Sequence, residues 1–197
     1  LRTVIVQRNT NELLTRTVFR RLNTEGKPLN AQEIRNALFD NPLNDKIHRL
    51  AENPILLESL KIKSVNSPAY QRMDDLTYVL RFITMAFFYP KFLNDQSTAM
   101  DMVMDFSERA DAGARKIHAI ADSFPEVLRC SEKIFGDKRF KRWAPESGWR
   151  NQAIGGLFDA EMVSLYNLGE RKRHLLEQNS AEFLAVSYTH LTLPTKA

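Results

Sequence analysis

Apolar and polar positions alternate along this chain mostly with a helical period. Val4, Ile5 and Val6 form one short β-branched run before the polar stretch RNTN, which predicts a strand feeding a helix. Asn9 or Thr10 can cap that helix, and Leu14, Val18, Phe19 and Leu22 give it an apolar stripe. Gly26 and Pro28 end the pattern. A second helix begins after Asn30, with Glu33 three residues on in the spacing of a capping box. Ile34, Ala37 and Leu38 form its inner face, and Asn41-Pro42 ends it.

Two short helices are expected near 44–51 and 54–61, followed by a loop, SVNSPAYQR. Asp74 and Asp75 favour a helix N-terminus, where the helix dipole stabilises negative charge. Leu76, Val79, Leu80, Phe82, Ile83, Ala86 and Phe87 then make that helix apolar on most of its circumference, so it should be central. Further helices are expected near 98–109 and 112–135, with Pro125 marking a break or a new start. GDKRFKRWAPESGWR reads as an irregular loop. A last long helix runs from Asn151 or Ala153 past Leu168, with Gly155-Gly156 and Gly169 as points of bending. Beyond the first strand, the pattern is mainly α.

Composition adds bounds. The chain has 197 residues, 43% of them hydrophobic and 26% charged, as in a globular protein. The net charge of +4 is compatible with a nucleic-acid or nucleotide partner. The single cysteine, Cys130, excludes an intrachain disulfide, favours a reducing cytoplasmic setting, and reads as a packed thiol. The apolar run from Leu76 to Phe88 contains Arg81 and is too short to span a bilayer, so no membrane is expected. LRTVIVQ is too short and wrongly flanked for a signal peptide, and with Leu at position 1 the chain reads as the C-terminal part of something longer.

The search for metal ligands and nucleophiles is negative. His48, His118 and His174 are far apart and lack the spacing of a metal site, so no metal is assigned. Asp159 and Glu161 are two apart and point to different helix faces. Asp101 and Asp105 share a face that reads as solvated. There is no Walker loop, no HNH-like cluster and no defensible Ser-His-Asp spacing.

Two segments carry candidate chemistry. In VFRRLNTEGKPLNAQEIRNALF, residues 18–39, the forked donors of Arg20, Arg21 and Arg35 suit phosphate oxygens, and the N-terminus of the Asn30 helix could face an anion. Arg21, Asn23, Glu33 and Arg35 are the nucleotide- or phosphate-binding candidates. Local demands also account for these residue types: Asn23 and Gly26 make a turn, Glu33 completes a cap, and the arginines are solvated. In DKRFKRWAPESGWR, residues 137–150, Lys138, Arg139, Lys141, Arg142 and Arg150 interleave with Phe140, Trp143 and Trp149. Cations with flat rings suit nucleic-acid backbones and unstacked bases, which makes Lys138, Arg139, Lys141, Arg142, Trp143 and Arg150 the DNA-binding candidates. The same residues also read as an ordinary loop whose aromatics anchor it to the core while the charges face water, an account that needs no partner.

The pattern Phe19-x-Arg21-Leu22-Asn23-x-x-Gly26-x-Pro28-Leu29-x-x-x-Glu33-x-Arg35-Asn36-Ala37 resembles the signature of the GmrSD-type restriction-endonuclease N-terminal domain family, within the ParB/sulfiredoxin-like superfamily. Arg72 before the long apolar helix, FGDKRF and GWRNQAIGGLFDA agree, so the resemblance covers residue 1 to about residue 168. It implies the helical C-terminal part of an α+β ParB-like domain with one N-terminal strand. Residues 1–40 would end the ParB-like core, and residues 41–185 would form a helical subdomain. It also implies a bacterial cytoplasmic protein of nucleotide-dependent restriction or phage defence acting on foreign DNA, with a nucleotide, a divalent metal and an HNH-type nuclease domain or subunit as associates. A non-catalytic DNA-binding or regulatory module on the same scaffold is the alternative. The family's DGQQR-like motif is absent, so catalytic residues are not assigned. Finally, VSYTHLTLPT, from Val186 to Thr195, resembles the translation of a sequencing-library adaptor, and residues 186–197 are expected to be an artefact tail outside the fold.

Overall fold

The computed structural model describes residues 29–184 apart from 93, 145 and 147. It is mainly helical. The helices are α1 (Ala31–Leu38), α2 (Pro42–Ala51), α3 (Pro54–Ser59), α4 (Pro68–Gln71), α5 (Asp74–Phe88), α6 (Gln96–Ser107), α7 (Ala112–Phe135) and α8 (Gly155–Gln178). A 3₁₀ turn (Gly136–Lys138) and a two-stranded antiparallel sheet of β1 (Trp143–Ala144) and β2 (Gly148–Trp149) lie between α7 and α8. The expected strand at 4–6, the helix after it and the expected tail lie outside the described residues.

Side-chain caps set most helix starts. Asn30 accepts from the Gln32 and Glu33 N–H groups while Glu33 Oε2 accepts from Asn30 N at 2.5 Å, closing the expected capping box. Asn41 accepts from Asn44 N, Asn53 from Ile55 N, Asp95 from Ser97 N and Asp111 from Ala114 N. Asn41-Pro42 thus starts α2 as well as ending α1, because proline suits the first helical position. The loop expected at SVNSPAYQR contains the single turn α4, begun by Pro68.

Helix α5 is the centre of the packing. Leu76, Val79, Leu80, Phe82, Ile83 and Ala86 are buried, and the helix meets α1, α2, α4, α6, α7 and α8. Phe39, Leu43, Ile47, Phe124, Val127, Phe158 and Met162 share its core. Pro125 does not break α7. It faces solvent, and Ile117, Ile120, Ala121, Phe124, Val127, Leu128 and Ile134 keep one continuous buried stripe on both sides of it. Gly169 does interrupt α8, at φ 73°, as the sequence suggested. The Leu165 carbonyl, one turn before Gly169, accepts from Arg173 Nη1 at 3.4 Å, and Glu126 takes Arg173 Nη2 at 2.5 Å. Among the described residues, no helix is long and apolar enough to cross a membrane.

One charge lies within the apolar run. Arg81 on α5 forks onto Asp159 on α8, with Nε to Oδ1 and Nη2 to Oδ2 both at 2.6 Å. A Cβ at Gly155 would stand 3.2 Å from Arg81 Cζ, a tight contact that the guanidinium would have to yield to by a few tenths of an ångström. Asp159→Ala leaves the guanidinium half-buried without its carboxylate and should lower stability by about 2–4 kcal/mol in urea unfolding. A loss below about 0.5 kcal/mol would show that the fork does not hold α8 to α5.

Candidate nucleic-acid interface

The segment after α7 is fastened at its base. Arg139 is 6% exposed and points inward. Its Nε donates to Ser59 Oγ at 2.7 Å, Nη1 donates to the Gly136 carbonyl at 2.8 Å, and Nη2 pairs with Glu58. Phe140 is fully buried, its ring 4.8 Å from that of Phe158. It adopts φ 62°, the left-handed region that phenylalanine rarely takes. Two backbone bonds hold it there: Phe140 N donates to Glu161 Oε1 at 2.9 Å, and Ile154 N donates to the Phe140 carbonyl at 2.8 Å.

Beyond this anchor the chain forms a hairpin rather than an irregular loop. Trp143 is the register partner of Trp149, and Ala144 of Gly148, with Gly148 at φ 67°. Arg150 N donates to the Arg142 carbonyl at 2.8 Å, so Arg142 and Arg150 face each other one register step further along. Successive residues of a strand point to opposite faces, so the arginine pair projects opposite to the tryptophan pair. Both arginines are exposed, and neither guanidinium has a carboxylate partner among the described residues. Lys138 Nζ lies 5.8 Å from the centroid of the Trp149 ring. Lys141 is half-buried and, with Glu58, Ser59, Lys61, Asp137, Arg139 and Asn151, lines a groove of about 180 Å³.

The candidates therefore divide. Lys138, Lys141, Arg142, Trp143 and Arg150 are gathered on the hairpin and its approach, whereas Arg139 is an internal fastener. The buried partner of Arg139, Ser59, lies 80 residues earlier and has no local signal in the sequence. Arg21 and Asn23 lie outside the described residues. Glu33 is held in the capping box. Arg35 is not solvated: it is 3% exposed, its Nε donates to Asp101 at 2.7 Å, and its Nη2 donates to the Ser97 hydroxyl and carbonyl. The solvated reading of Asp101 is corrected by the same bond. Asn30 Nδ2 donates to the Arg72 carbonyl at 2.9 Å, tying the capped corner to the entrance of α5.

Cys130 is buried, and burial followed by the neighbouring Glu177 pushes its thiol up to about 11, so it stays protonated and packed. No group of three or more His, Cys, Asp or Glu side chains that could hold a metal ion occurs among the described residues. Compared with known proteins, the chain matches no family model, no curated protein and no solved structure.

Burial pushes the Glu161 carboxyl up to about 7, opposed by the Phe140 N–H, the Ser131 hydroxyl and Arg139. Between pH 4.5 and 7 the folded protein therefore binds more protons at this position than the unfolded chain. The stabilising contribution is full below pH 4.5 and is lost as pH rises through 7. Glu161→Gln can still accept from Phe140 N without the buried charge. Urea midpoints should show it gaining on the wild type from pH 5 to pH 8, by on the order of 2 kcal/mol. A constant difference across that range would remove Glu161 as the titrating group.

Proposed function

We propose that this chain is part of a nucleotide-dependent restriction or phage-defence protein of the GmrSD N-terminal domain type, and that its hairpin contacts the phosphates of foreign DNA. The observation that carries the DNA contact is the Arg142–Arg150 pair. Like charges directly opposite in a β-ladder repel, and an anion between them turns that repulsion into attraction. Two guanidinium forks set across a ribbon suit a phosphodiester. Lys138 and Lys141 extend the same positive field, and the tryptophan pair offers flat surface for unstacked bases. The restriction role and the bacterial cytoplasmic setting rest on the resemblance through Arg21, Asn23, Gly26, Glu33 and Asn36. So do the nucleotide and the HNH-type partner.

The second reading is a non-catalytic DNA-binding or regulatory module on a ParB-like scaffold. Arg35 and Glu33 favour it, because their side chains are committed to internal bonds. Genomic sequence upstream of Leu1 separates the two: a DGQQR-like motif there, together with nucleotide turnover by the recovered protein, supports the enzyme, and its absence supports the module.

The contact itself has a thermodynamic signature. Replacing Arg142 and Arg150 with Ala should weaken duplex binding and flatten the plot of log affinity against log salt by about 2, near 0.9 per lost phosphate contact. An unchanged slope would return both arginines to a solvated turn.

A further inference from the structure

The hairpin is narrow, and its two faces differ in chemistry. Two residues of each strand pair in register, and paired strands lie about 4.8 Å apart, which makes a thin blade. Arg142 and Arg150 project from one face, and Trp143 and Trp149 from the other. Trp143 is half-buried, so part of its ring meets solvent, and Lys138 stands beside the Trp149 ring. Glu146, the only acidic residue between the two arginines, is exposed at the turn and repels phosphate from the tip.

The blade is held at its root. Arg139 bonds to Ser59 on α3, and Phe140 packs on Phe158 and donates its N–H to Glu161, both on α8. Lys141 and Asn151, the residues next to Arg142 and Arg150, line the groove of about 180 Å³ together with Lys61. Of the two carboxylates in that lining, Glu58 is taken by Arg139, which leaves Asp137 against the two lysines. Cationic and amide surface therefore continues from the blade into the groove.

An intact duplex engages only part of this surface. Its bases are paired and stacked, so while the arginine face meets a phosphate backbone, the ring face has no base to contact. Where two strands part, each face has a strand to hold: the arginines a backbone, the ring an unpaired base.

We infer that the hairpin is a wedge for forked DNA, seated where the two strands separate. Arg142 and Arg150 lie on the backbone of one strand, and Trp143 stacks on an unpaired base of the other. Lys61 and Lys141 offer the parted strand a positive groove to follow. This rests on the reading of the hairpin as a DNA contact and names the form of DNA that it takes.

The test compares a fork with two unpaired arms, a blunt duplex and a single strand, by fluorescence anisotropy with the whole chain at one salt concentration. The fork should bind at least about fivefold tighter than the duplex, the lower end of one base–aromatic stack. Trp143→Ala should bring that ratio to near one, and Trp143→Phe, which keeps a flat ring, should retain most of it. Both tryptophans of the chain are in the hairpin, so their emission reports on it without any substitution. The fork should quench that emission more than the duplex does. Equal affinity for fork and duplex overturns the wedge, as does a single strand binding as tightly as the fork. A fork preference that Trp143→Ala leaves intact overturns it too. Duplex binding that depends on Arg142 and Arg150 but shows no fork preference removes the wedge and keeps the DNA contact. Absence of binding to all three removes both.

Discussion

The described fold depends on enclosing α5. That helix is apolar on most of its circumference, so water must be excluded from nearly every side of it, and the other helices are arranged to do so. Arg81 is the exception that fixes orientation. Apolar packing has no direction, but a forked guanidinium on Asp159 fixes where α8 lies along α5, with Gly155 close beside it. Everything carried between α7 and α8, including the hairpin, inherits its position from that alignment.

The two ends of the candidate interface obey different demands. At its base, Arg139 and Phe140 are buried and Glu161 is half-buried, and each finds a partner across the fold. At its tip, Arg142 and Arg150 face each other in solvent. A cationic residue in a basic run is therefore not one thing. Arg139 holds the segment still so that its neighbours three and eleven positions on can be presented at a fixed spacing. The Arg35 corner is organised in the same way as that base, turned inward onto Asp101 and Ser97.

Local chemistry was legible in the sequence. The Asn30–Glu33 cap, the central apolar helix and the interruption at Gly169 all depend on residues within a few positions of one another. Pro125 misled because its missing N–H suggests a break, whereas the buried stripe around it holds one helix. The hairpin was hidden by its length: two residues per strand are too few to show alternation. The ion pairs of Arg35 and Arg139 were beyond reach. Their partners are brought together only by folding, and nothing in the local pattern separates a buried arginine from a solvated one.

The proposed contact of the hairpin arginines with DNA depends on their placement and not on their charge alone. The direct measurement compares duplex affinity, at one salt concentration, for Arg142→Ala/Arg150→Ala and for Arg129→Ala/Arg171→Ala. Each variant removes two exposed positive charges. Contact through placement gives a loss of about tenfold or more for the hairpin pair and a far smaller loss for the control pair. Equal losses would contradict it and leave only the general attraction of a basic protein for DNA.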